Sequence, residues 1–167
     1  MSHHIHFACQ IDPFWEIIKR IRERVEAALS GYAEELRHAS KMTASELIEN
    51  AVKYGTSVER HLGITFDFEA TASKITICVS NRVLSRADAE NVCWHLEQIR
   101  AAENPETLYL QRLQTLLDHP NIERTQLGLF RIACECKFQL SCRLEQDVLT
   151  VSAVRTGAGN DISGENA

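Results

Sequence analysis

Three side chains of this sequence have types and spacing that could do chemistry together: Glu46, Asn50 and Lys53. They lie in the run 46–55, Glu-Leu-Ile-Glu-Asn-Ala-Val-Lys-Tyr-Gly. Spacings of four and then three residues put them on one stripe of a helix. Leu47, Ile48, Ala51 and Val52 occupy much of the remaining circumference. A helix buried on most sides would therefore turn the polar stripe toward a cavity. An Asn carbonyl oxygen is a hard, neutral ligand of the kind Mg2+ accepts, and Mg2+ bridges nucleotide phosphates. A carboxylate one turn away could take a proton from an attacking hydroxyl or water. A lysine beyond it could neutralise phosphate charge. By spacing alone, a solvated polar stripe on an amphipathic helix accounts for the same pattern better.

The elements that must position these residues follow from periodicity. Residues 4–10 alternate as a strand does. Asp12-Pro13 predicts a helix start, and Phe14, Ile17, Ile18, Ile21, Val25 and Leu29 continue it at three-to-four spacing as far as Ser30-Gly31. The helix carrying the stripe covers about 33–54, with Gly55 as its C-cap. Residues 62–70 and 74–81 read as an antiparallel hairpin across Thr71-Ala72-Ser73. Helices are predicted over about 86–102 and 105–117, with Asn104-Pro105 between them. A polar segment, 118–126, leads into a further helix at 127–133. Residues 138–144 and 148–154 close the chain as a hairpin with its turn at 145–147. The order argues for an α+β fold, an antiparallel-rich sheet with helices on one face. One domain over 1–155 is expected, with a polar, flexible tail over 156–167.

Composition narrows the function. The chain has 167 residues, 44% hydrophobic and 25% charged, with a formal net charge of -5. That is the size and balance of one globular domain. Lys19, Arg20, Arg22 and Arg24 alternate with Glu16, Glu23 and Glu26, a solvated helix face without the basic stripe of a nucleic-acid binder. No apolar run is long enough to span a bilayer, and the N-terminus does not resemble a secretory signal, so a cytoplasmic protein is expected. On that expectation the six cysteines, 9, 78, 93, 134, 136 and 142, read as reduced and mostly buried thiols. Their spacings do not suit a zinc site. His4 and His6 share a strand face and read as edge histidines more readily than as a metal arm. Trp15 and Trp94 read as core or interface residues.

The run Glu46-x-x-x-Asn50-Ala51-x-Lys53-Tyr54-Gly55 resembles the N-box of the GHKL (Bergerat-fold) ATPases. That family includes histidine kinases, anti-sigma-factor serine kinases, gyrase and the Hsp90 chaperones. The likeness is greatest to the anti-sigma-factor kinases, whose box commonly reads Glu-x-x-x-Asn-Ala-x-Lys-(Tyr/His). The predicted element order from 4 to 154 is similar too. The resemblance implies a two-layer α/β sandwich of the histidine-kinase-like ATPase type, its sheet mixed but mostly antiparallel. It implies Mg2+ and ATP as cofactors, Glu46 as general base, Asn50 as the Mg2+ ligand and Lys53 as a phosphate contact.

Both nucleotide glycine boxes of that family are altered. Where it has Asp-x-Gly-x-Gly, this chain has Asn81-Arg82-Val83-Leu84-Ser85. Asn81 can still accept one hydrogen bond where the family's Asp holds the adenine amine. Arg82 adds a charge that could meet phosphate or solvent. Val83 and Ser85 stand where glycines let the backbone approach the nucleotide. The later Gly-x-Gly-Leu-Gly-Leu box reads Arg124-Thr125-Gln126-Leu127-Gly128-Leu129. Its Gly128 falls at a predicted helix start, which suits anion binding and tight packing equally. Asn for Asp, a long helical insertion over 86–117 and a reduced last box are more like the SiaB-type kinases.

These readings imply a regulatory switch: an anti-sigma-factor or serine/threonine-protein-kinase-like chain acting on a regulatory protein partner. That partner would be an anti-sigma antagonist, a sigma factor or a response-regulator-linked protein. A homodimer is compatible with the relatives; nucleic acid and membrane are not expected. The competing class is an ATP-incompetent pseudokinase that serves as an interaction module.

Overall fold

The structure, a computed structural model, describes residues 4–11, 15–54, 63–118 and 127–157. Their order is β1 (Ile5–Ile11), α1 (Trp15–Ala28), α2 (Glu34–Tyr54), β2 (Ile64–Ala70), β3 (Lys74–Arg82), α3 (Arg86–Ala101), α4 (Pro105–Asp118), α5 (Leu127–Cys134), β4 (Gln139–Glu145) and β5 (Val148–Thr156). The strands form one sheet in the order β1-β2-β3-β5-β4. Every pairing in it is antiparallel, whereas a mixed sheet was expected. The long connection from β3 through three helices enters the sheet at its far edge as β4. The hairpin return then sets β5 between β4 and β3, antiparallel to both.

Alternation along the strands sorts the two faces. Ile64, Phe66, Phe68 and Ala70 of β2, Ile75, Ile77 and Val79 of β3, and Leu149, Val151 and Ala153 of β5 are buried. Ile18, Ile21 and Val25 of α1, Leu29 just after it, and Leu36, Leu47, Ile48 and Ala51 of α2 are buried in the same core cluster. The opposite sheet face is polar. His4 and His6 pair there with Glu69 and Asp67 at 3.0 and 2.9 Å, and Ser80 bonds Thr150 at 2.8 Å. The result is an α+β, two-layer α/β sandwich.

Local chemistry sets several boundaries. Thr71 Oγ1 accepts from the backbone N–H groups of Ser73 and Lys74, turning β2 into β3. Asn104 Oδ1 accepts from the N–H groups of Glu106 and Thr107, so Asn104 caps α4 and Pro105 takes the first helical position. Three residues after α5, Lys137 stands at φ 57 and Phe138 N–H donates back to the Ile132 carbonyl, a left-handed stop that usually employs glycine. β5 runs through Thr156, one residue into the expected tail; 158–167 lie outside the described residues. So do the predicted helix start at Asp12-Pro13, the Gly55 cap and most of the polar segment 118–126.

Two expectations are corrected. Cys93 of α3 and Cys142 of β4 form a disulfide, their Cα atoms 5.6 Å apart. Packing α3 against the edge strand brings together residues that are 49 apart in sequence, which no local spacing announces. Cys9, Cys78, Cys134 and Cys136 are free. Burial raises the thiol pKa of Cys9, Cys134 and Cys136, which disfavours the thiolate. Of the two alternatives for Trp94, core or interface, the core one is overturned: Trp94 is exposed on α3, edge-on to His95. The side chain of Trp15 lies outside the described residues. Among the described residues, no helix is long and apolar enough to cross a membrane.

Candidate functional site

α2 supplies the centre of the site. Its buried side carries Leu36, Ala44, Leu47, Ile48 and Ala51, which fixes its rotation over the sheet. That rotation turns Glu46 toward α5, with 18% of its side chain exposed. Arg131 Nη1 donates to Glu46 Oε1 at 2.8 Å, and Arg131 Nη2 donates to Met42 Sδ at 3.3 Å. Gly128, one turn before Arg131, offers bare backbone to the same carboxylate. A Cβ there would collide with Glu46 Oε2 and lie 3.0 Å from its Cδ. Burial lifts the Glu46 pKa above its ordinary 4.5; Arg131 pulls it down, and Glu49 and Glu135 push it up. A carboxylate raised in this way is a stronger base than an exposed one.

One turn on, Asn50 is half-buried, and its Nδ2 is enclosed without a hydrogen-bond partner among the described residues. An enclosed polar atom left unpaired costs free energy and calls for an account. Lys53 stands at an exposed position near the end of α2. The structure thus turns Glu46 and Asn50 inward and leaves Lys53 at the surface.

The β3 end divides the candidates further. Asn81 continues the buried row Ile75, Ile77, Val79 and is 6% exposed, a polar end to an apolar file. Its Nδ2 donates to the Arg82 carbonyl at 3.0 Å. Arg82, one residue later, points to the opposite face and pairs with Asp147 at 3.2 Å. Adjacent strand residues cannot share a face, so Arg82 does not join Asn81. The two side chains standing in place of family glycines have structural work. Val83 is buried in the core, and Ser85 caps α3 by accepting from Asp88 N–H.

Arg131, Glu135, Tyr109 and Met42 were not singled out in the sequence. Arg131 Nε lies 3.6 Å from Glu135 Oε2, and the Tyr109 hydroxyl donates to Glu135 Oε1 at 3.1 Å. The one available signal was Arg131 itself, a charge three residues after Gly128 on an otherwise apolar helix. Two cavities among the described residues lie elsewhere. One of about 370 Å³ is lined by residues of α1 and α2, including Lys19, Glu26 and Lys41. The other, about 670 Å³, is lined by residues such as Arg100, Pro105, Lys137 and Leu140. Neither includes Glu46, Asn50 or Asn81.

For a hydrated divalent cation the residues offer the Asn50 amide oxygen and, one turn away, the Glu46 carboxylate, which Arg131 already holds; the unpaired buried atom of Asn50 is its Nδ2, a donor that no cation can use. Asn81, which the resemblance sets against adenine, fits that role less well. Asn81 is a neutral acceptor whose amide nitrogen is already used, although no hydrogen bond among the described residues reaches its Oδ1. Neither a known family model nor a curated protein matches this chain.

Proposed function

We propose that this chain is a regulatory switch on a GHKL-type ATP-binding fold, similar to the anti-sigma-factor serine kinases. In this reading it binds Mg-ATP beside α2 and transfers phosphoryl to a serine or threonine of a regulatory protein partner. The observation that carries the reading is the inward pair on α2: Glu46, mostly buried and raised in pKa by burial, one turn from the half-buried amide of Asn50. Asn50 would hold Mg2+, Asn81 would accept from the adenine amine, and Glu46 would take the proton of the attacking hydroxyl. Mg2+ supplies charge neutralisation at the phosphates when bound. The cluster Glu46, Glu49 and Glu135 against one Arg131 repels naked polyphosphate, so ATP should bind with Mg2+ and poorly without it.

A second reading draws on a different observation. α4 buries none of its residues fully, and Leu110 and Leu117 are 64% and 76% exposed. An apolar helix face left open suits a protein-interaction module that does no chemistry. Thermal shift and calorimetry of the purified chain with Mg-ATP separate the two. A ligand that binds only the folded state raises apparent stability, by about 2.7 kcal/mol at a hundred times its Kd. A magnesium-dependent shift, lost in Asn50→Ala, supports the nucleotide reading. No shift at millimolar Mg-ATP leaves the interaction module.

A further inference from the structure

Four side chains run from the helical insertion to α2 without a break: Tyr109, Glu135, Arg131 and Glu46. We propose that Arg131 is the positioning residue for Glu46, and that Tyr109 of α4 sets Arg131 through Glu135. The insertion would then act on the general base of the site. This rests on the reading of Glu46 given above.

Arg131 stands between two carboxylates that compete for one guanidinium. It holds Glu46 at 2.8 Å and Glu135 at the longer 3.6 Å. The Tyr109 hydroxyl occupies one oxygen of Glu135, which lessens the pull of that carboxylate on Arg131. With the hydroxyl withdrawn, Glu135 must take its hydrogen bonds from Arg131 or water. The guanidinium then moves toward Glu135 and loosens Glu46. A planar, five-donor fork can make this exchange, because it can serve two acceptors at once.

The seat of Glu46 depends on the same helix. Gly128, one turn before Arg131, leaves room for the carboxylate against the α5 backbone. A side chain there would push Glu46 Oε2 out of its present place beside the fork.

α4 is built to be the moving part. Leu108 and Tyr109 are only partly buried against the core, and the Tyr109 ring stacks on Phe130 of α5 at 6.4 Å. Displacing α4 would uncover Phe130, which Tyr109 covers, but none of the residues of α4 is itself fully buried, and the movement breaks the Tyr109–Glu135 bond. Elements that respond to partners come from this weakly anchored end of the stability range.

The test is a set of thermodynamic cycles on the full chain, since spatial continuity alone does not establish coupling. Unfolding in urea is measured for Tyr109→Phe, Glu46→Gln and the double variant. The same set is then repeated with Arg131→Gln. Among the described residues Tyr109 and Glu46 share no hydrogen bond or ion pair. Independent sites would therefore multiply in their effects on the unfolding equilibrium constant. We expect a departure from the product of at least about twofold, the low end of couplings between linked residues. It should vanish when Arg131 is Gln. Arg131→Lys keeps the charge and loses the fork, so it should retain only part of the coupling; it serves if the Gln variant does not fold. Multiplicative effects with Arg131 present, or the same coupling with the arginine replaced, would overturn the proposal. Calorimetry with Mg-ATP on wild type and Tyr109→Phe completes the test, with equal affinities expected, because the relay acts on the base and not on the metal end. Absence of Mg-ATP binding by wild type would sink the nucleotide reading while the cycles still decide the relay. Mg-ATP binding without coupling would sink the relay alone.

Discussion

The carboxylate of Glu46 occupies the space that a side chain at position 128 would need. α2 and α5 are thereby matched at one point, with glycine on one helix and a buried acid on the other. Gly128→Ala in the wild-type chain should displace the Glu46 carboxylate and destabilise the fold or leave it unchanged. In a Glu46→Ala background the same substitution should stabilise by about 0.5–1 kcal/mol, the ordinary gain of Ala over Gly in a helix. Urea unfolding of the four proteins measures the difference. Identical effects in both backgrounds would mean that Glu46 does not sit there.

Glu46→Gln and Asn50→Ala should separate if the chain is a kinase. The Gln variant keeps the size of the side chain but cannot take a proton. It should lose about 10²- to 10⁴-fold in transfer rate and keep its Mg-ATP affinity. Asn50→Ala removes the proposed metal ligand and should weaken binding and transfer together. Transfer to the phospho-acceptor protein and calorimetry are the measurements. Equal transfer rates for wild type and Glu46→Gln would eliminate Glu46 as the base.

The pH dependence of stability has a definite sign. Burial raises the Glu46 pKa above 4.5 in the fold, so the folded state holds this proton more tightly than the unfolded chain. The group's contribution is then most favourable below 4.5 and is lost as pH rises through the higher folded value. Glu46→Gln removes the dependence. Relative to wild type, the variant should gain stability as pH rises through that window, read as urea midpoints across a pH series. A difference that stays constant, or a variant that loses stability relative to wild type as pH rises, would contradict the burial account.

Reduction of the Cys93–Cys142 bridge should cost about 2–4 kcal/mol, the usual contribution of a disulfide closing a loop of this length. Because Ala89, Val92, Leu96 and Ile99 bury the inner side of α3, the reduced protein should keep its helix content. Circular dichroism melts with and without dithiothreitol check this. A Cys93→Ser variant should melt alike in both conditions and close to the reduced wild type.

Leu110→Glu and Leu117→Glu should change monomer stability by no more than about 0.5 kcal/mol, because both side chains are already in solvent. Larger losses would show that α4 is packed more tightly than its exposure indicates. If α4 is instead the docking face of an interaction module, the same changes should abolish partner capture while leaving the melting curve in place.

Local periodicity was enough to place the elements. The apolar spacing of α1 and α2, the β2–β3 hairpin with Thr71 at its turn, and Asn104-Pro105 before α4 were all legible, because each depends on neighbours within a few residues. The alignment of Glu46 with Asn50 was legible for the same reason, since helical geometry fixes i and i+4 on one stripe. Long-range packing decided the rest. Which way the stripe turned depended on how α2 rolled onto the sheet. Arg131 became the partner of Glu46 because α5 crosses α2 at Gly128, a contact between residues 85 apart. The strand order decided that β4 would be the edge against which α3 brings Cys93 to Cys142. Strand alternation decided that Arg82 would face away from Asn81, once the buried row of β3 had fixed which side was inside. A sequence sets the local conformational preferences of each segment. Where segments meet depends on the joint burial of side chains from distant elements, and only the folded chain specifies that.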